Sequence, residues 1–402
     1  MYPGGTLRHR HEPMQRETEL VTALSRTPLS PVVRGRVREL LGGNVDWDAL
    51  RDLARRWQVE PTVFGNLRSE YAATIPAAIL SDIAALEKQS RARAMSRTLA
   101  LMHLVTVFER AGVRVIVLKG PAVAIAAYGD YSRRTFSDFD LLVRREDLPA
   151  ARDLLLGRGY SREYAPEMEG ALIEDQHALE LADAHTKVEL HWSLMSRHLY
   201  FDIDVDDMWK NAHQVECMGA PMSVLATEHL FLYLCAHGAK HEWMIFRWIC
   251  DIAQLSQRVT SENAAKILAL AERHNAKRIL SLALRIVGET FGEEETRFTP
   301  GSLLPERDTR ELVSLVRARL DSDTMGSHEL LPPRLARIHP YLGQLAFWIK
   351  SRERKRDRVA CAARFLFVPA ASEAGGGRLH GLLRPARLVV RALIRVAQPR
   401  DA

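Results

Sequence analysis

The sequence contains no stretch of about 18 uncharged apolar residues, so no transmembrane helix is expected. Cysteine is scarce. Cys217, Cys235, Cys250 and Cys361 lie far apart with no CxxC pair, which excludes a disulfide framework and a cysteine zinc site and suits a reducing compartment. No apolar run follows the basic start MYPGGTLRHRHEPMQRE, so no signal peptide is expected. There is no internal repeat and no serine, cysteine or histidine nucleophile motif. What remains is an ordinary globular composition, 47% hydrophobic over 402 residues, with room for two or three domains. The 56 Lys and Arg against 50 Asp and Glu leave a net charge of +6, a mild excess whose position matters more than its size.

The polar start, residues 1–17, reads as disordered. A helical region is expected over 18–98. In it VDWDALRDLARRWQVEP spaces Trp47, Leu50, Leu53, Ala54 and Trp57 on one face of a helix beginning near Asp46. PAAILSDIAALEKQSRARAMSRTLALMHLVTVFERAG predicts one long helix or two, stopped by Gly112. A core over 99–220 then changes character. VRVIVLKG is a short buried strand ended by glycine, PAVAIAAYG a short helix with Pro121 in its first turn, and FDLLV a second strand. REDLPAARDLLLGRGY is a helix, and HALELADAHTKVELHWSL a hairpin turning at 183–186. The expected fold class is α+β: a small mixed sheet flanked by helical regions. From about residue 222 the pattern is helical again, through a domain assigned to 221–360 with an N-cap at Thr227. The tail, 361–402, is basic.

Two carboxylates, Asp138 and Asp140, share one face of the FDLLV strand because side chains alternate. Like charges that close repel, and each is costly to bury unpaired. A divalent cation resolves both problems, and hard oxygens suit Mg2+ (or Mn2+) bridging to phosphates. A solvated strand edge bonded to Arg133 or Arg134 is the simpler reading of a bare D-x-D. The context supports the metal: Lys119 and Gly120 open a helix N-terminus that favours anions. KVELHW adds Glu189, with His191 on the same side. Three acids on adjacent strands beside a phosphate-binding turn describe a two-metal phosphoryl-transfer site.

The pattern LKG…R-x-x-x-D-x-D-L-L-V…V-E-L-H-W resembles the nucleotidyltransferase superfamily typified by DNA polymerase beta. More narrowly, it resembles the uncharacterised bacterial nucleotidyltransferases that carry Lys-Gly in place of Gly-Ser. HGAKHEWMIFRWICDIAQL and VDWDALRDLARRWQVEPTVF also resemble that family, so the likeness spans roughly residues 44–260. The resemblance implies an enzyme that moves an NMP from an NTP to an acceptor and releases pyrophosphate. It implies that Asp138, Asp140 and Glu189 are metal ligands and catalytic residues, and that Gly120 is the phosphate-loop glycine. Two departures stand out. Pro121 replaces the usual serine, and the gap from Gly120 to Asp138 is longer than in the minimal pattern. A nucleotide-binding or scaffold module without turnover is the alternative that the missing serine favours and the intact three-acid set opposes.

The supporting residues each have two readings. Arg134 either holds triphosphate oxygens or pairs with Asp138. His191 either positions Glu189 or the acceptor, or packs beside Trp192. His237 and His241 stand four apart, but Gly238 excludes a zincin. With Lys240 they mark a helix expected to face the nucleotide, so His237 and Lys240 join Lys119 as candidate phosphate contacts. Asp251 pairs with Arg247 or His241, or lies on a helix surface. Arg384, Arg387, Arg391 and Arg395 share one face of an amphipathic tail helix. It suits an anionic membrane surface or nucleic acid, although packing on the same protein is favoured. A cytoplasmic location is expected from the missing signals and the need for NTP and Mg2+. The acceptor, whether small molecule, peptide, protein or RNA, is not legible.

Overall fold

The computed structural model of the chain describes residues 14–195, 203–292, 298, 302–321 and 342–367. Its centre is the pair of strands the sequence marks. β1 (Val115–Val117) runs antiparallel to β2 (Asp138–Val143), with Ile116 opposite Leu142. The expected hairpin is β4 (Ala178–Ala182) and β5 (Lys187–His191), and β5 lies parallel to β2. With β3 (Ser161–Arg162), β6 (His213–Cys217) and β7 (Ala220–Val224) they form a seven-stranded mixed sheet of order β3-β4-β5-β2-β1-β7-β6. The chain is therefore α+β, as expected.

Four short helices, α1 (Met14–Leu24), α2 (Pro31–Leu41), α3 (Trp47–Arg56) and α4 (Glu60–Glu70), precede the long α5 (Ala77–Arg110). Within the sheet region lie α6 (Pro121–Val123), continued by a π-helical turn at Ala124–Tyr128, then α7 (Leu148–Leu156), α8 (Glu169–Asp175) and α9 (Val205–Asn211). The later helices are α10 (Thr227–Lys240), α11 (Phe246–Arg258), α12 (Ser261–Arg273), α13 (Lys277–Phe291), α14 (Arg310–Asp321), α15 (Leu342–Ser351) and α16 (Lys355–Phe367).

Alternation along the strands sorts the core into two layers. Val115, Val117, Phe139, Leu141, Val188 and Leu190 point to one face and pack on Leu101, Val105 and Phe108 of α5 and Leu155 of α7. Ile116, Leu118 and Leu142 point to the other, where the helical core of α10, α11 and α13 begins. The two aspartates of β2 belong to this second face. It is closed by Leu142 at one end and opens into a cleft at the other.

Several elements cross the boundaries placed in the sequence. α1 begins at Met14, inside the segment read as disordered, and its Glu17 is buried because it accepts the Asp46 N–H at 2.9 Å. Asp46 in turn caps α3 by accepting the Ala49 N–H at 3.0 Å, a bond worth about 1 kcal/mol. α5 is one helix across the boundary placed at 98: its first half packs on α4 and its second half lies under the sheet. β7 crosses the boundary placed at 220 and adds to β1, so the β6–β7 hairpin extends the core sheet. Its turn is Met218-Gly219, both at positive φ, the two-residue chemistry that suits a tight hairpin. The cap expected from Thr227 does not form; α10 starts there without a side-chain cap. The amphipathic tail helix and most of 321–340 lie outside the described residues. Among the described residues no helix is long and apolar enough to cross a membrane.

Candidate metal and nucleotide cleft

Parallel pairing of β2 with β5 sets the site. The register places Asp138 opposite Lys187, Asp140 opposite Glu189 and Leu142 opposite His191. With a side-chain period of two, all six share the face that opens into the cleft. Asp140 is buried, Glu189 partly so, and the His191 Nε2 lies 3.3 Å from Asp140 Oδ1 and 3.4 Å from Glu189 Oε2. One ligand atom from each of Asp140, Glu189 and His191 falls within 4.8 Å of the others. The expected ligand set was Asp138, Asp140 and Glu189. The close group instead takes in His191, which the sequence marked as supporting, while Asp138 stays on the same face nearer the strand's start. Two hard oxygens and an imidazole fit a divalent cation, Mg2+ or the more nitrogen-tolerant Mn2+.

Lys119 follows β1 directly, and the Leu118 N–H donating to the Asp140 carbonyl at 3.0 Å holds the two segments together. Its ammonium reaches across to Asp140 Oδ1 at 2.6 Å, with side-chain exposures of 12% and 1%. Burial pulls the lysine pKa down, but Asp140, Tyr233, Asp138 and Glu189 together outweigh it and the net shift is upward. Burial likewise pushes Asp140 up, yet Lys119 and His191 hold it below the usual carboxylate range. Lys119 and Asp140 are thus both ionised. His191 is raised despite burial, because it faces two carboxylates.

The turn after Lys119 is less open to anions than the sequence suggests. Gly120 has φ +61°, a region that favours glycine, and a Cβ there would lie 3.2 Å from the Phe136 ring. Pro121 has no N–H, and the Ala122 N–H donates to the Lys119 carbonyl at 3.3 Å. Gly120→Ala is expected to destabilise the protein by about 1–3 kcal/mol through backbone strain. A thermal or urea melt checks this; an unchanged midpoint would show that the turn relaxes freely.

Arg134 does not pair with Asp138. Its guanidinium is buried against Asp251 of α11, with Nε 3.0 Å from both carboxylate oxygens, and the Tyr128 hydroxyl donates to the same carboxylate at 3.0 Å. Asp251 is therefore neither a surface carboxylate nor primarily the partner of Arg247 or His241. Arg134 still borders the cleft, but its charge is already matched.

The opposite wall comes from α10 and the start of α11. Tyr233, His237 and Lys240 line it. Lys240 Nζ lies 3.1 Å from the His177 Nε2, and burial, helped by Lys119, pushes its pKa down to about 8. Burial also lowers His177 and His237, so both are neutral. The His237 ring meets Trp248 edge-on at 5.0 Å and His241 at 4.8 Å. Arg247 donates to the Thr135 carbonyl, and burial brings its pKa to about 10. Between the walls is a cavity of about 600 Å3, within the range of small-molecule sites.

Sequence reading missed His177, Glu180, Lys187, Arg247 and Trp248 as cleft residues. Glu180 was legible: it alternates with buried Leu179 and Leu181, which places it on the face of Glu189, its cross-strand partner. Lys187 bridges the two, 2.7 Å from Glu180 and 3.3 Å from Glu189.

The fold and cleft define a class: an α+β protein with a metal-competent carboxylate–histidine group facing a cationic helical wall. Residues 43–292 match the family described as uncharacterised nucleotidyltransferase, and the chain belongs to that family. No curated protein and no solved structure matches it.

Proposed function

We propose that the chain transfers a nucleoside monophosphate from an NTP to an acceptor nucleophile and releases pyrophosphate, in a reaction dependent on Mg2+ or Mn2+ and of the DNA polymerase beta type. The observation that carries this reading is the grouping of Asp140, Glu189 and His191 within 4.8 Å, in a cleft of a nucleotidyltransferase-family chain. Asp138, Asp140 and Glu189, with His191, would hold the cation. When bound, it supplies charge neutralisation at the transferred phosphoryl group. The protein's own contribution is positioning and electrostatics.

Lys240, with neutral His237 beside it, faces the acidic strands across the cleft and is suited to the triphosphate. Gly120 lets the chain turn tightly beneath it. Glu189 sits below the usual carboxylate range, because His191, Lys119 and Lys187 outweigh the upward push of burial. It is therefore ionised, accepts a hydrogen bond from the acceptor hydroxyl and orients it, rather than storing its proton. Burial of the Asp140 side and partial exposure of Glu189 support an acceptor on the Glu189 side of the cleft.

Because Lys240 loses its proton near pH 8, NTP affinity is expected to fall as pH rises through about 8. Lys240→Met should bind more weakly and show no such fall. Fluorescent-NTP titration between pH 6.5 and 9.5 checks this, and an identical profile for the variant would remove Lys240 from the triphosphate. The function itself is tested by pyrophosphate release in a lysate supplemented with NTP and Mn2+. Release should depend on Asp138 and Asp140.

One observation favours a second reading. Pro121 withdraws both a hydroxyl and an N–H from the phosphate turn, as would suit a module that binds nucleotide without turnover. Tight NTP binding with no pyrophosphate release would support it.

A further inference from the structure

We propose that the Lys119 ammonium takes the place of one of the two divalent cations expected in this cleft, so that the site works with a single divalent ion and a built-in lysine cation. This rests on the proposed metal-dependent transfer. In a two-metal site the ions stand roughly 3.5–4 Å apart and share a bridging carboxylate, which must present oxygen to both. Asp140, the most buried carboxylate here, is the residue placed to bridge. Its Oδ1 is already occupied by Lys119 Nζ at 2.6 Å.

The lysine cannot swing away cheaply. Its side chain is only 12% exposed, it directly follows β1, and the next residue is Gly120 in a constrained turn against Phe136. Leaving Asp140 would strand two buried charges. Charge balance points the same way. One divalent ion and one ammonium match the charge of Asp138, Asp140 and Glu189, whereas a second divalent ion beside Lys119 would meet a like charge at close range. Lys187 adds a further positive charge on the Glu189 side, 3.3 Å from its Oε1. The remaining donors, Asp138, Glu189, His191 and the free side of Asp140, suffice for one ion.

The test is the number and coupling of bound Mn2+ ions, read by electron paramagnetic resonance on the full chain. Mn2+ is titrated alone and with the α,β-methylene analogue of each NTP. Wild type should bind one Mn2+ with an uncoupled signal, and Lys119→Arg, which keeps the charge, should match it. Lys119→Met should bind a second Mn2+, with an exchange-coupled signal from the close pair. Two coupled ions in wild type would overturn the inference and leave metal-dependent transfer standing. One ion in both wild type and Lys119→Met would also overturn it, because Lys119 would then not be what excludes the second. No bound Mn2+ in wild type under any condition would overturn both. Should Lys119→Met not fold, Lys119→Gln, which also removes the charge but keeps a polar end, supplies the same comparison.

Discussion

Asp140→Asn is expected to lower nucleotidyl transfer by about 10³-fold, or roughly 4 kcal/mol of transition-state stabilisation. The same substitution is expected to cost about 3–5 kcal/mol of stability, since it leaves the Lys119 ammonium buried without its partner. Asp138→Asn separates these effects. Asp138 is only half-buried and lies nearer the strand's start, so transfer should fall while stability stays within about 0.5 kcal/mol. The double variant Asp140→Asn, Lys119→Met removes both buried charges and should recover most of the lost stability without recovering activity. Thermal melts and a transfer assay on the three variants check this. If Asp140→Asn melts like wild type, the Lys119–Asp140 pair is not the buried contact described above.

Asp251→Asn is expected to be the most destabilising single substitution remote from the acidic strands, by about 3–5 kcal/mol, because Arg134 keeps its charge in a dry site. The pair links the segment before β2 to α11 and receives the Tyr128 hydroxyl from the turn after β1. Breaking it loosens three pieces of the cleft floor at once. Arg134→Met combined with Asp251→Leu should melt well above either single variant, since replacing a buried ion pair by apolar groups is often close to neutral. Where the double variant is folded, its NTP affinity should be that of wild type. A large loss of NTP affinity with a normal melt would instead return Arg134 to the triphosphate.

The acidic face was legible in the sequence because strand periodicity is a local property. Phe139, Leu141 and Val143 against Asp138 and Asp140 required no knowledge of the partner strand. Glu189 and His191 followed by the same rule. The partner of each group was not legible, because partners depend on pairing between distant segments. Parallel register of β2 with β5 makes Asp140, rather than Asp138, the neighbour of Glu189. That register also brings His191 into the ligand group. Arg134 sits four residues before Asp138, which suggested a local ion pair. Its partner instead lies 117 residues away, on a helix whose position only tertiary packing fixes.

Boundaries are hard to read where one element serves two regions. Half of α5 belongs to the N-terminal helices and half to the sheet, and no composition shift marks the change. The β6–β7 hairpin was missed although Met218-Gly219 is a turn signal. Its outer strand is largely exposed, so the alternation of Val215 and Cys217 against polar neighbours is weak. Lys119 shows the opposite case. It was read as a phosphate contact because it adjoins a glycine turn, yet its charge is spent on the buried aspartate across the strand pair.

The measurement that bears most directly on nucleotidyl transfer uses two labels of the same NTP. Wild type and the Asp138→Ala, Asp140→Ala double variant are incubated in lysate with Mg2+ or Mn2+ and either [α-32P] or [γ-32P] NTP. Transfer of the α label to a product by wild type alone, with the γ label recovered only as pyrophosphate, is the expected result. Transfer of the γ label to the product, or equal α labelling by the double variant, would contradict it.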